Sequence, residues 1–403
     1  MKKIYLHKAK TQIARPNTIR GINKQIVLNY VRDRAPISRA EIARETALQR
    51  STVSAIVDDL QDAGLIEEIG TGDSTGGRKP TLLRIRTGAP AAIGVDITPG
   101  RTTVAAADWR VQLTKPDTFA TSADAERMTE KIVAKVSKFT ELYGGSEHDL
   151  EVGISVPGIA DQATGNVVFI PYFQWTNWDI SRQITERTGL PVIVDNDANA
   201  VALAELWFGN EKLRKSRNFI IVLVAEGIGT GIIFEGQVYR GEKGAAGEFG
   251  HMIVGDGAPV KCSCGSRVCW EAHASEKASV YRYALSDCRK NDNNGDGQVS
   301  FEELIKLAQD GKPCAAKALK DTAKYLGIGI SNLIVGFSPQ AVIISGSIVR
   351  AWPLIKDEIQ ELAERSVRQE LDKPIIAASS LVENPTLMGA LSLVLARKFA
   401  SAN

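Results

Sequence analysis

Three of the chain's five cysteines, Cys262, Cys264 and Cys269, fall within eight residues, and His251 precedes the first by eleven. One imidazole and three thiolates are the ligand set of a closed tetrahedral zinc site. Such a knot fixes the loop between its ligands, so whatever else the chain does, the segment Gly247–Glu271 must fold around it. Two carboxylates, Glu248 and Glu271, stand three and two residues from a ligand. Acidic side chains held rigidly beside a metal knot are well placed to accept hydrogen bonds from the hydroxyls of a polar ligand. Clustering of cysteines with a histidine points to a reducing compartment and a metal rather than to disulfides. Cys288 and Cys314 lack metal-like spacing and read as plain thiols.

At 403 residues the chain exceeds one ordinary core, so two or three domains are expected. No apolar run reaches the length of a membrane span. The basic start, Met1 to Lys8, is not followed by the apolar segment of a signal peptide. A cytoplasmic protein with no membrane partner is the expectation. The net charge of +2 conceals an asymmetry: residues 1–86 hold 16 Lys and Arg against 9 Asp and Glu, and the remainder holds 33 against 38. Only the basic front is suited to nucleic acid.

That front has a recognisable grammar. Ile19, Ile22, Ile26, Val27, Tyr30 and Val31 follow the helical period over 18–32. After Pro36, Ser38 caps a short helix over 39–45, with Glu41 completing a capping box. Thr46-Ala47-Leu48 is a tight turn, and a third helix runs from 49 to 63 and stops at Gly64. Strands over 65–69 and 81–85 flank a Gly-rich loop ending in Arg78-Lys79. Three helices and a basic-tipped hairpin predict a winged helix-turn-helix DNA-binding domain over 1–86. Arg50, Ser51, Thr52 and Ser54 are expected to face bases, and Arg39, Arg78 and Lys79 phosphate or minor groove. A homodimer, or dimer of dimers, on a palindromic operator follows.

From Ala91 the pattern becomes α/β. Buried strands are expected over 92–97, 102–107, 152–156, 192–194, 219–224 and 341–346, with a helix over 122–143 and an Ala-rich helix ending at Phe208. The segment Pro171 to Trp178 is aromatic and fits either stacking on a sugar ring or interdomain packing.

The string Gly247-Glu248-Phe249-Gly250-His251, with Cys262-Ser263-Cys264-Gly265 and Cys269-Trp270-Glu271, resembles the ROK family (repressors, open reading frames, kinases). Val268 stands where that family usually has Gly. The resemblance covers nearly the whole chain and, with the winged helix in front, is to the family's NagC/XylR-type transcriptional regulators. It implies a two-lobed actin-like ATPase (RNase H-like) fold: a first lobe of 87–200 completed by a helix over 386–403, and a second of 201–385. It implies that His251, Cys262, Cys264 and Cys269 hold structural Zn2+. It also implies that Asn196, Asp197, Glu248, His251 and Glu271 face a sugar, Asp197 being the base of the family's kinases.

Family kinases cradle ATP phosphates on glycine loops, whose N–H groups meet the anion. The first reads Asp-x-Gly-Gly-Thr in kinases and Asp96-Ile97-Thr98-Pro99-Gly100 here. The second reads Gly-Thr-Gly in kinases and Ala225-Glu226-Gly227 here. The third, usually paired glycines, reads Ser345-Gly346-Ser347. Pro99 removes a donor, and a carboxylate about 4 Å from a phosphate repels it by roughly 4 kcal/mol at an effective dielectric near 20. A degenerate ATP site beside an intact polar site predicts a sugar-responsive regulator of carbohydrate genes, a repressor rather than an enzyme, with no catalytic residue. A ROK sugar kinase with an appended DNA-binding domain is the alternative. Control by a protein partner, such as a sugar-transporter component, is a third.

Residues 292–303 match an EF-hand calcium loop, outside anything the family implies. Asp292, Asn294, Asp296, Ser300 and Glu303 fill positions one, three, five, nine and twelve, Gly297 the sharp turn, and Gln298 the carbonyl position. Ca2+ is therefore a second expected ion, flanked by helices over 275–290 and 301–309.

Overall fold

The computed structural model describes residues 16–73, 79–88, 91–143, 150–210, 216–287, 299–368 and 370–400. The chain forms two compact units, one of Met1–Ala89, Asp108–Arg110 and Leu395–Asn403, the other of Pro90–Ala107 and Val111–Val394. In the first, helix α1 (Pro16–Arg34), strand β1 (Ile37–Ser38), α2 (Arg39–Thr46) and α3 (Arg50–Asp62) precede β2 (Ile66–Thr71) and β3 (Thr81–Ile85). β3 is the central strand, with β1 and β2 at its sides. The capping box is formed as expected: Glu41 N–H donates to Ser38 Oγ at 3.3 Å, and Ser38 N–H to Glu41 Oε2 at 2.8 Å. Ala47 takes the left-handed conformation, φ 58°, that ends α2. A residue with a Cβ is strained there by about 1–2 kcal/mol. The sharp turn lets Ile42 on α2 and Val53, Ile56, Val57 and Leu60 on α3 bury together with Val27, Val31 and Leu83. This is a winged helix-turn-helix.

The second unit holds, among the described residues, two five-stranded sheets and a three-stranded side sheet. The first is built from β4 (Ala92–Ile97), β5 (Arg101–Ala107), β6 (Asp117–Ala120), α4 (Ala125–Tyr143) and β7 (Glu151–Val156). A side sheet follows, of β8 (Ile159–Asp161), β9 (Asn166–Ile170) and β10 (Trp175–Trp178). Then come α5 (Ile180–Thr188), β11 (Val192–Asn196) and α6 (Asp197–Phe208). The second is built from β12 (Phe219–Val224), β13 (Ile228–Phe234) and β14 (Gln237–Val238), then α7 (Trp270–Ala274), α8 (Glu276–Ala284), α9 (Phe301–Gln309) and α10 (Pro313–Phe337). β15 (Ala341–Ser345), α11 (Trp352–Glu364) and β16 (Ile375–Ala378) complete it, and α12 (Pro385–Ala400) returns to the first sheet.

The main sheets share one topology. Their orders, β6-β5-β4-β7-β11 and β14-β13-β12-β15-β16, both read third, second, first, fourth, fifth. In each, the first three strands form an antiparallel meander and the last two run parallel to the first. Sequence chemistry fixes how helices dock. Gly94 and Gly153 pair across β4 and β7, and a Cβ at Gly153 would run into the Ala390 carbonyl. The glycine pair makes the groove in which α12 lies, with Leu387, Ala390, Leu391 and Val394 buried. α6 is apolar on nearly every side, and Ala198, Val201 and Ala202 pack on Phe219, Ile221, Leu223 and Ile343. This is the two-lobed α/β fold expected of an actin-like ATPase.

Candidate functional site

Strands β4, β7 and β11 of the first sheet and β12 and β15 of the second end at one cavity of about 880 Å³. Asp96 and Thr98 stand at the end of β4, Pro157 and Gly158 after β7, Asn196 and Asp197 at the junction of β11 and α6, Glu226 after β12, and Gly346 and Ser347 after β15. Open α/β sheets bind ligands at this carboxyl edge. All five residues expected to face a sugar, Asn196, Asp197, Glu248, His251 and Glu271, line the cavity.

Asp197 opens α6, and its Oδ1 accepts the Ala198 N–H at 2.8 Å. Burial lifts its pKa to about 7; that N–H opposes the rise, and the charges of Asp96 and Glu248 add to it. Burial likewise lifts Asp96 to about 6, against the Thr386 hydroxyl, which donates to its Oδ2 at 2.7 Å. The Ser155 hydroxyl, buried beside Asp96, also opposes the rise. Glu248 is also raised, by burial and by Glu271, while His251 pulls it down. Carboxylates that repel one another away from water gain from hydroxyl donors. Asn196 is busier than expected: its Oδ1 caps α6 by accepting the Asn199 N–H at 3.1 Å, and its Nδ2 donates to the Gly158 carbonyl at 3.0 Å. Capping and cavity lining coexist in that side chain.

Beneath this corner is an ion pair that sequence reasoning missed. Asp195 is fully buried, and Arg240 donates to its Oδ2 through Nε at 2.8 Å and Nη2 at 2.7 Å. The Asn196 N–H at 2.8 Å and Asn199 Nδ2 at 3.3 Å serve its other oxygen. Arg240 precedes the loop that carries Glu248, so the pair ties that loop to the β11–α6 turn.

The metal-ligand group lies beside the cavity. His251 Nδ1 is 3.1 Å from Cys262 Sγ, Cys264 Sγ is 3.5 Å from Cys269 Sγ, and the four ligand atoms lie within 4.8 Å of one another. Tetrahedral zinc with ordinary bond lengths separates its ligand atoms by about 3.5–3.8 Å. The group could hold a metal such as zinc. The imidazole's Nε2 is 3.5 Å from Glu248 Oε2, so the ring joins the ligand cluster to the cavity wall. Glu271 Oε1 accepts the Ser263 N–H at 2.9 Å. Cys314, read as a plain thiol, is disulfide-bonded.

The aromatic segment divides its work. Phe173 and Trp175 stack at 4.5 Å, Trp178 meets Trp175 edge-on at 4.7 Å, and both tryptophans are buried in the first lobe's core. Tyr172 instead lines the cavity, close to Glu271, where Gly227 has no side chain to intrude. Lys277 sits 5.1 Å over the Tyr172 ring and pairs with Glu226 at 3.0 Å. The Glu226 carboxylate is thus partly neutralised, and the repulsion of a phosphate reckoned from sequence shrinks. Two other features disfavour an anion: the Thr98 N–H is taken by the Arg101 carbonyl at 2.9 Å, and the Ala225 N–H by the Gly227 carbonyl at 2.9 Å.

In the winged helix, Arg50 and Ser51 are exposed, Thr52 and Ser54 half-buried and Lys79 exposed. Arg78 lies outside the described residues. Arg39, expected on phosphate or minor groove, is engaged within the domain. Its guanidinium donates to Asp58 at 2.6 Å, Gln61 at 2.8 Å and the Ser54 carbonyl at 3.3 Å, clamping α2 onto α3. The composition of 39–45 could not reveal that its partners stand nineteen and twenty-two residues ahead. Of the calcium loop, Asp292, Asn294, Asp296 and Gln298 lie outside the described residues. Ser300 caps α9 by accepting the Glu303 N–H at 3.1 Å, and Glu303 is exposed.

Residues 92–397 match the ROK family. The chain belongs to the ROK family. Residues 26–78 match the MarR family, at the winged helix. The ROK chain is 33% identical to a xylose repressor of Bacillus spizizenii, over 95% of this chain and 97% of that one. Among solved structures it resembles a ROK family transcriptional regulator, a homologue of the Escherichia coli MLC protein, with TM-score 0.78, 24% identity and coverage of 95% and 98%. It also resembles a ROK family glucokinase from Streptomyces griseus in complex with glucose and AMPPNP, with TM-score 0.66 and 30% identity, over 75% of this chain and 98% of that one. The repressor likenesses take in the winged helix, whereas the kinase likeness spans about three quarters of the chain. Among the described residues no helix is long and apolar enough to cross a membrane.

Proposed function

We infer that this ROK protein is a sugar-responsive, DNA-binding transcriptional repressor. The observation that carries the reading is the convergence of Asp197, Glu248, His251 and Glu271 on one cavity, in a chain that also bears a winged helix. Residues 1–86 act as the DNA module. The lobes 87–200 with 386–403, and 201–385, enclose the effector. Asn196, Asp197, Glu248, His251 and Glu271 hold its hydroxyls. Zn2+ on His251, Cys262, Cys264 and Cys269 is structural, because four protein ligands leave no open position. The ion would fix the imidazole whose other nitrogen faces Glu248. Arg50, Ser51, Thr52 and Ser54 read bases, and Lys79 with Arg78 meets phosphate. The protein works in the cytoplasm as a homodimer or dimer of dimers. The calcium loop remains a sequence-based proposal, with Ser300 and Glu303 as its described members. A transporter-component partner stays open to a pull-down with the sugar present and absent.

Fluorescence anisotropy on a selected operator tests the reading: one sugar of a monosaccharide and disaccharide panel should release the DNA, and a chain lacking 1–86 should not bind it. Operator binding by the truncated chain would sink the assignment. A kinase reading is favoured by one observation, the pKa of about 7 at Asp197, which suits a general base. Phosphate transfer from ATP at ordinary enzyme rates, lost in Asp197→Ala, would establish it. The engaged Thr98 and Ala225 N–H groups support its absence.

A further inference from the structure

The cavity is larger than its sugar corner. At about 880 Å³ it lies near the top of the roughly 300–1,000 Å³ range of ligand pockets, several times the space of one pyranose ring. Beyond Asp96 it continues between Thr98, Pro99, Glu226, Glu276, Ser347 and Arg350. That half has a definite chemical character. Among the described residues eight carboxylates line the cavity against two guanidiniums, and Arg350 is paired with Glu383 at 3.4 Å. A triphosphate would find little counter-charge there. A bound cation is also disfavoured: among the described residues only the His251 and cysteine group brings three ligand atoms within reach of one ion. The carboxylates are spread along the wall rather than gathered.

A ligand carrying many neutral donors along its length fits such a wall. Glu276 is half-buried, and burial with the charges of Glu302 and Glu226 lifts its pKa to about 8, against a hydrogen bond from Ser347. Asp96, only 7% exposed, stands where the two halves meet. Pro99, Val382 and Pro385 offer the apolar faces on which the C–H side of a sugar ring rests.

We propose that the effector is a neutral di- or oligosaccharide, its first sugar at Asp197, Glu248 and Glu271 and its second along Asp96, Glu276 and Ser347. This rests on the sugar-sensing reading and extends it. Calorimetry on the full chain tests it with aldopentoses, aldohexoses and N-acetylhexosamines, each as the monosaccharide and as its own homodisaccharides. For one sugar the disaccharide should bind at least tenfold tighter than its monosaccharide. Glu276→Gln and Ser347→Leu should erase that gain, and the monosaccharide affinity of the same variants reports whether the first subsite is still folded. A sugar that binds no tighter as a disaccharide overturns the second subsite while keeping the sensor. A disaccharide gain that survives Ser347→Leu in a folded variant overturns it too. Binding of no sugar in either form overturns both.

Discussion

Arg240→Ala should be among the most damaging single changes in the second unit, and the structure sets its size. Asp195 is fully buried, and Arg240 supplies two of the four donors it receives. Removing the guanidinium leaves a buried carboxylate with one backbone N–H and one amide. Breaking one side of a buried pair costs about 3–5 kcal/mol. The lower end, about 3 kcal/mol, is expected here, because the remaining donors persist and the carboxyl can escape by taking a proton. Burial already pushes its pKa upward, and Arg240 is the principal opposing charge. The variant's folded state then binds a proton that the unfolded state releases near pH 4, so its stability falls as pH rises from there through the raised pKa. Urea denaturation at pH 5 and pH 8 measures this, with Arg240→Met in an Asp195→Asn background as the matched neutral pair. That double variant should recover most of the loss. A loss below about 1 kcal/mol for Arg240→Ala, or the same loss at both pH values, would refute the reasoning. Sugar affinity should fall in Arg240→Ala as well, because the pair holds the Glu248 loop against the Asn196–Asp197 turn.

Asp197 and Asp96, with folded pKa values of about 7 and about 6, make the folded chain bind more protons than the unfolded chain from about pH 4 to 7. Stability without sugar should therefore fall as pH rises through that window, and Asp197→Asn should flatten part of the slope. Sugar affinity should rise about tenfold from pH 6 to pH 8, as Asp197 ionises and becomes a full acceptor; a flat calorimetric profile would remove Asp197 from the contact. Elemental analysis should find one zinc per chain, and Cys264→Ser should lose metal, melt earlier and respond poorly to sugar. Arg39→Ala should lower the melting temperature of the winged helix and leave the salt dependence of operator binding unchanged, because its partners are protein groups. Calcium should raise the melting temperature of the wild type but not of Glu303→Gln.

The local features were legible and the long-range ones were not. Ser38 and Glu41 are three residues apart, so their mutual capping is written in the string. Ala47 could be placed in the turn because helices on either side leave it no other role. That Asn196, Asp197, Glu248, His251 and Glu271 gather at one cavity was legible only because the set travels with the cysteine pattern. The clamp that Arg39 makes on Asp58 and Gln61 was not legible, because a basic residue beside a recognition helix reads as a phosphate contact and its partners lie far ahead in the chain. Lys277, which neutralises Glu226 from fifty-one residues away, and Arg240, forty-five residues after Asp195, carry no local signal. The side sheet β8–β10 was missed for a related reason: Trp175 and Trp178 find their partners, the Ala123 carbonyl and the Thr129 hydroxyl, on or just before α4.

The fold by itself does not choose between kinase and sensor, since both sheets deliver the same strand ends to the same cavity. What differs is the charge brought to those ends. Ser347 follows β15, Glu226 follows β12, and Glu276 reaches the same wall from the start of α8, its own N–H held by the Ala225 carbonyl at 3.0 Å. A phosphate cradle works by leaving backbone N–H groups free and keeping carboxylates away. Here the Thr98 and Ala225 N–H groups are used within their own turns, and carboxylates occupy the wall. Such a wall favours donors over anions, which is the physical ground for the proposed sensor reading over the kinase reading. The corner that holds Asn196, Asp197, Glu248, His251 and Glu271 draws on a different set of elements, the β11–α6 turn and the cysteine-rich loop, so changes in the other strand-end turns leave it in place.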